Sequence, residues 1–155
     1  EMVDAFYEAG CDDALVGTTG CRLRIVFDRE AETVEAAVLS AIADVRKAGY
    51  QVERIEEGDD VDLAAMAERL GKSRQEIQDL VDGVVGPGDF PLSISGYKTK
   101  WSWREVTTWL VAAGLAEPVV AETARVIAVV DAALLYHAAK RRFPALMEAI
   151  EDLIR

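Results

Sequence analysis

The chain has 155 residues, 51% of them hydrophobic, and carries 28 acidic against 17 basic side chains for a net charge of −11. That length suits one ordinary domain or two small ones with a real core. Two cysteines, Cys11 and Cys21, exclude a disulfide framework, and with neither a membrane-length apolar run nor a signal-peptide pattern, a reduced cytoplasmic protein without membrane association is expected.

In chain order, Val3, Phe6 and Tyr7 predict a short helix ended by Gly10. Residues 14–17 and 21–28 predict two strands of a hairpin, the second alternating Leu23, Ile25 and Phe27 with Arg22, Arg24 and Val26. Over 33–48, Val34, Ala37, Val38, Ala41, Ile42 and Val45 recur at helical spacing until Gly49. Residues 50–55 then return as a strand. The order helix, strand, strand, helix, strand predicts an α+β fold that begins with a partial ferredoxin-like layer over residues 1–60.

Two acidic groups in this layer, Asp12-Asp13 and Asp28-Arg29-Glu30, invite a catalytic or metal reading. No histidine lies near them, and no metal-ligand spacing accompanies them; turn chemistry and helix N-terminal charge account for both. The chain's one histidine, His137, has no second histidine to form a ligand set. Neither a nucleophile with its base nor a phosphate-binding loop is found, so neither an enzyme nor a cofactor is expected.

Residues 56–62, EEGDDVD, form an acidic bridge to a second domain over residues 61–113. There, DLAAMAERLGKSRQEIQDLVDG reads as two short helices joined by a tight turn, with Leu63, Met66, Ala67 and Leu70 inward on the first and Ile77, Leu80 and Val81 inward on the second. Asp62 suits an N-cap, Gly71 the turn, and Ser73 with Glu76 an S-x-x-E capping box. Gly86-Pro87-Gly88 turns the chain, and residues 90–94 and 97–101 predict a small hairpin across Ser95-Gly96. Ser102 and Glu105 repeat the capping box before a helix through Val106, Trp109 and Leu110. That spacing assigns Trp109 to a core face and Trp101 to a staple before the cap.

Through GPGDFP and WSWREVTTWL, residues 61–113 resemble the winged helix-turn-helix family of MerR-like and excisionase-type DNA-binding domains. The resemblance implies that the second helix, residues 73–82, enters the major groove and that the hairpin is a wing. By position it nominates Lys72, Ser73, Arg74, Gln75 and Gln78 for that groove. Arg69 and Arg104 fall where phosphates are expected, and Lys98 and Lys100 on the wing would touch the sugar-phosphate backbone. Residues 69–104 carry six basic and four acidic side chains and form the only net-positive section, whereas residues 1–68 carry 6 against 17 and residues 105–155 carry 5 against 7. Asp79 places a negative charge on the same helix without a capping role to excuse it.

Residues 114–155 predict C-terminal helices. Pro118 resets the chain; Val119, Val120, Val126, Ile127, Val129, Val130, Leu134, Leu135 and Tyr136 go nearly all the way round one long helix, and a helix apolar on several faces is buried in something. Leu146, Met147, Ile150, Leu153 and Ile154 mark a last amphipathic helix, and the ending suits homodimerisation. The sequence thus leads to a sequence-specific transcriptional regulator that binds double-stranded DNA as a homodimer. The alternative is an antitoxin or adaptor whose acidic N-terminal half engages a protein partner.

Overall fold

The computed structural model describes residues 2–94 and 99–155. It is an α+β protein with, among the described residues, seven helices and two two-stranded antiparallel sheets. Two compact units divide it, Glu1–Arg54 with Leu134–Arg155 and Ile55–Ala133. The division falls inside one long helix. No helix among the described residues is long and apolar enough to cross a membrane.

The first unit opens with α1 (Met2–Glu8), followed by β1 (Ala14–Thr19), β2 (Arg22–Phe27) and α2 (Val34–Lys47). The strands pair from Ala14 opposite Phe27 to Thr19 opposite Arg22, so Leu23, Ile25 and Phe27 share the inner face. They pack on buried Phe6, Cys11 and Val45. Thr33 starts α2 by accepting the Ala36 N–H at 3.0 Å.

The strand expected over residues 50–55 does not form. Tyr50 instead stacks its ring on Phe6 at 4.7 Å and Val52 packs on the same cluster, while Glu53 and Arg54 are exposed. Side-chain docking satisfies the apolar positions without a backbone ladder. Of the layer expected over residues 1–60, only a hairpin and two helices form.

Arg29 is the polar centre of this unit. Its side chain is only 11% exposed, and Nε and Nη2 grip the Asp13 carboxylate at 2.7 and 2.9 Å. Nη1 donates to Asp44 at 2.8 Å and to Ser40 at 3.1 Å, and Nη2 also donates to the Gly10 carbonyl at 2.7 Å. All five guanidinium donors are thus committed. The planar group also lies over the Phe27 ring, 4.9 Å from its centroid.

The second unit contains β3 (Asp60–Val61), α3 (Leu63–Leu70), α4 (Arg74–Val81), β4 (Trp101–Ser102), α5 (Trp103–Ala112) and the first part of α6 (Pro118–Arg142). Val61, Met66, Ala67, Ile77, Leu80, Trp101, Trp103, Val106, Leu110 and Ala124 form its core. Burying a side chain such as Ile77 or Leu110 stabilises the unit by about 2 kcal/mol. All three tryptophans belong here: Trp101 and Trp103 are buried, and Trp109 packs on the cluster and donates its Nε1–H to the Gly88 carbonyl at 3.0 Å. Phe90 fills the gap beside Trp101 and Trp109, its ring edge-on to both.

The hairpin expected over residues 90–101 is only partly matched. Residues 90–94 are not a strand; Ile94 donates one N–H to the Lys100 carbonyl at 2.9 Å, and Trp101 and Ser102 pair with Val61 and Asp60 instead. The tip, residues 95–98, lies outside the described residues. Because β3 and β4 run antiparallel and each leads directly into a helix, α3 and α5 start at opposite ends of this short ladder.

The second half of α6 and α7 (Pro144–Ile154) belong to the first unit. Glu151 on α7 accepts from the Tyr136 hydroxyl and, at 2.8 Å, from Lys140 Nζ, which ties the two helices. The apolar surface expected round α6 remains partly open: Val119, Val129, Leu135 and Tyr136 are exposed. Ala124, Val126 and Asp131 are buried on that helix, and Asp131 accepts the Ile55 N–H at 2.6 Å.

Candidate nucleic-acid interface

The candidate site is built on α3 and α4. Asp62 caps α3 by accepting the Ala65 N–H at 2.8 Å. The helix stops at Gly71, whose φ of 63° is left-handed, and the N–H groups of Gly71 and Lys72 return to the carbonyls of Glu68 and Ala67. Such a stop satisfies orphan carbonyls and needs a residue without a Cβ. Two residues later Ser73 opens α4. Its hydroxyl accepts the Glu76 N–H at 3.2 Å, and the Glu76 carboxylate accepts the Ser73 N–H at 2.7 Å. That second bond holds the Glu76 carboxyl below its usual range.

The cap directs Glu76 back toward the turn, and burial of Ile77 and Leu80 turns the opposite side of α4 outward. Lys72, Ser73, Arg74 and Gln75 are exposed at the helix start. Arg74 and Lys100, which come from different segments, line one open depression with Asp62, Leu63, Ala64 and Thr99. The depression therefore joins a candidate base reader to a candidate phosphate contact.

Further along the outward face two hydrogen bonds repeat at helical spacing. Gln75 Nε2 donates to Asp79 at 2.8 Å, and Gln78 Nε2 donates to Asp82 at 2.9 Å. Asp79, for which the sequence offers no role, is thus the partner of Gln75.

Arg69 and Arg104 belong to a different cluster. Arg69 donates to the Gly58 carbonyl at 3.2 Å and places its guanidinium 5.3 Å from the centroid of the Trp103 ring. Arg104 Nε lies 3.3 Å from Asp59. Both arginines are anchored at the start of α5, apart from the depression that holds Arg74 and Lys100. Lys98 lies outside the described residues.

Sequence reasoning missed Asp59, which it assigned to a linker. Asp59 accepts the Ser102 hydroxyl at 2.8 Å, and its backbone carbonyl accepts the Trp103 N–H at 2.7 Å. Ser102 still receives the Glu105 N–H, at 3.4 Å. The start of α5 is therefore held from within the acidic bridge as well as by its own cap, and no local motif announces a partner 43 residues away.

Comparison with protein-family models, with curated proteins and with solved structures finds no match for the chain. The functional reading rests on the residues themselves.

Proposed function

We propose that this protein is a sequence-specific transcriptional regulator that binds double-stranded DNA through a winged helix-turn-helix over residues 61–113, with α4 in the major groove. The observation that carries this reading is the exposed, capped start of α4, where Lys72 and Arg74 stand free of the core and Arg74 shares a depression with Lys100. Cations flanking the helix start suit a phosphate, and an arginine at the first helical position suits guanine O6 and N7. Arg69 and Arg104, although anchored, remain partly accessible for phosphates.

The regulator acts as a homodimer, with two copies of α4 reading half-sites about one helical turn apart. Exposed Leu146, Leu153 and Ile154 on α7 support self-association. Non-specific affinity is weak, because a chain of net charge −11 repels the duplex and offers few cations to displace counterions.

The test is selection from randomised duplex DNA, followed by binding across a salt series with Arg74→Ala in parallel. A selected site whose preference depends on Arg74 and whose affinity falls with salt supports the regulator. Failure to bind even at low salt overturns it in favour of an adaptor whose acidic N-terminal half engages a protein.

A further inference from the structure

We infer that Asp79 is a specificity-determining residue that reads the exocyclic amino group of a cytosine, beside an Arg74 that reads guanine. The inference rests on the DNA-binding reading and deepens it. It starts from the two intrahelical hydrogen bonds on α4. A carboxylate only accepts, so Gln75 and Gln78 must each present amide nitrogen to Asp79 and Asp82. Each glutamine then has an N–H committed within the protein. Each also keeps one free N–H and its amide oxygen, so it is the uncommitted lone pairs of the two carboxylates that tip the outward face towards acceptors.

The major groove offers few partners for such a surface. Guanine presents O6 and N7, and thymine presents O4, all acceptors that a carboxylate faces unfavourably. Adenine sets its N7 acceptor beside the N6 amino group. Cytosine alone presents an amino donor with no adjacent acceptor on its own base. Asp79 lies one helical turn beyond Gln75 on the outward face, whereas Arg74 stands at the helix start, so the two ends of α4 meet different base pairs. An arginine donor at one end and an aspartate acceptor further along specify guanine at one position and cytosine at another. The same carboxylates repel phosphates, so they lower affinity for all other sequences and sharpen discrimination.

Duplexes carrying every base at each position of the selected site are titrated with the wild type, Asp79→Ala, Asp79→Asn and Gln75→Ala. The wild type should require cytosine at one position by about ten-fold or more. Asp79→Ala should abolish that requirement while binding unrelated duplex more tightly, and should leave the Arg74-dependent guanine intact. Asp79→Asn, which keeps an acceptor for Gln75 and adds a donor, should shift the preference towards adenine. Gln75→Ala should retain the cytosine requirement. If Gln75→Ala and Asp79→Ala erase one and the same preference, Asp79 only orients Gln75 and the inference is overturned. A selected site indifferent to Asp79 overturns it while leaving the regulator standing; no selected site at all overturns both. Both aspartate variants leave intact the Asp79 main-chain carbonyl, which accepts from Val84 and Val85 after the helix.

Discussion

The Asp59 carboxylate accepts the backbone N–H of Arg104 at 2.9 Å and lies 3.3 Å from the Nε of the same residue. One side chain thus satisfies an orphan donor at the start of α5 and pairs with the charge one residue into it. Asp59→Ala is expected to destabilise the second unit by about 1–2 kcal/mol, the usual loss on removing a helix cap. Since Trp101, Trp103 and Trp109 are the protein's three tryptophans and all lie in this unit, urea unfolding followed by tryptophan fluorescence reads the change directly. An unchanged midpoint refutes the capping role.

Local motifs were legible, and long-range partners were not. Asp62, Gly71, Ser73 and Glu76 lie within a few residues of the groups they satisfy, so spacing alone located both helices of the candidate site. The strand expected over residues 50–55 failed because alternating Tyr50 and Val52 look the same whether a backbone pairs or two side chains dock, one on the Phe6 ring and one on the cluster round it. Arg29 failed for another reason: its partners Gly10, Asp13, Ser40 and Asp44 lie on a loop and a helix 11 to 19 residues away. For the candidate site, sequence nominates Arg74 for the groove helix and Lys100 for the wing but gives no sign that the two share a depression, or that Arg69 and Arg104 form a second cluster at Gly58 and Asp59.

Arg29→Met is expected to cost the first unit about 3 kcal/mol, the lower end for breaking a buried ion pair, because water still reaches Asp13. Hydrogen bonds from Arg29 hold the Asp13 carboxyl below its usual range; Lys47 first, and then Arg29, do the same for Asp44. A depressed folded value means stability that is full above the ordinary carboxylate range and lost as pH falls through the folded values. Wild-type stability should therefore decline below about pH 4. Arg29→Met should flatten this decline without removing it, since Lys47 still holds Asp44. Urea midpoints by circular dichroism between neutral and acid pH measure both slopes, and equal slopes in the two proteins contradict the assignment.

Arg74 and Lys100 line the same depression but have different roles in the proposed complex. Arg74→Ala should relax preference at one guanine position, with a loss of about 1–3 kcal/mol on the selected site and little on random duplex. Lys100→Ala should weaken both alike and reduce the logarithmic salt slope by about 1. Titrations of the two duplexes at several salt concentrations separate these outcomes. The same pattern from both variants contradicts the division between base reading and phosphate contact.

Along α7, Leu146, Ile150, Leu153 and Ile154 are exposed, Leu153 at 85%, and Phe143 immediately before the helix is exposed as well. Their spacing of three and four residues places them in one stripe, as expected of a helix that meets a copy of itself. Glu151 is turned the other way, toward Tyr136 and Lys140, so cutting back the stripe leaves the link to α6 in place. Sedimentation should give a dimer for the wild type and a monomer for Leu146→Glu with Leu153→Glu, at unchanged helical circular dichroism. On DNA, the double variant should bind a single half-site as the wild type does but lose the extra affinity for a two-fold site. A wild type that sediments as a monomer at micromolar concentration removes the dimer from the proposal and leaves one copy of α4 to recognise the whole site.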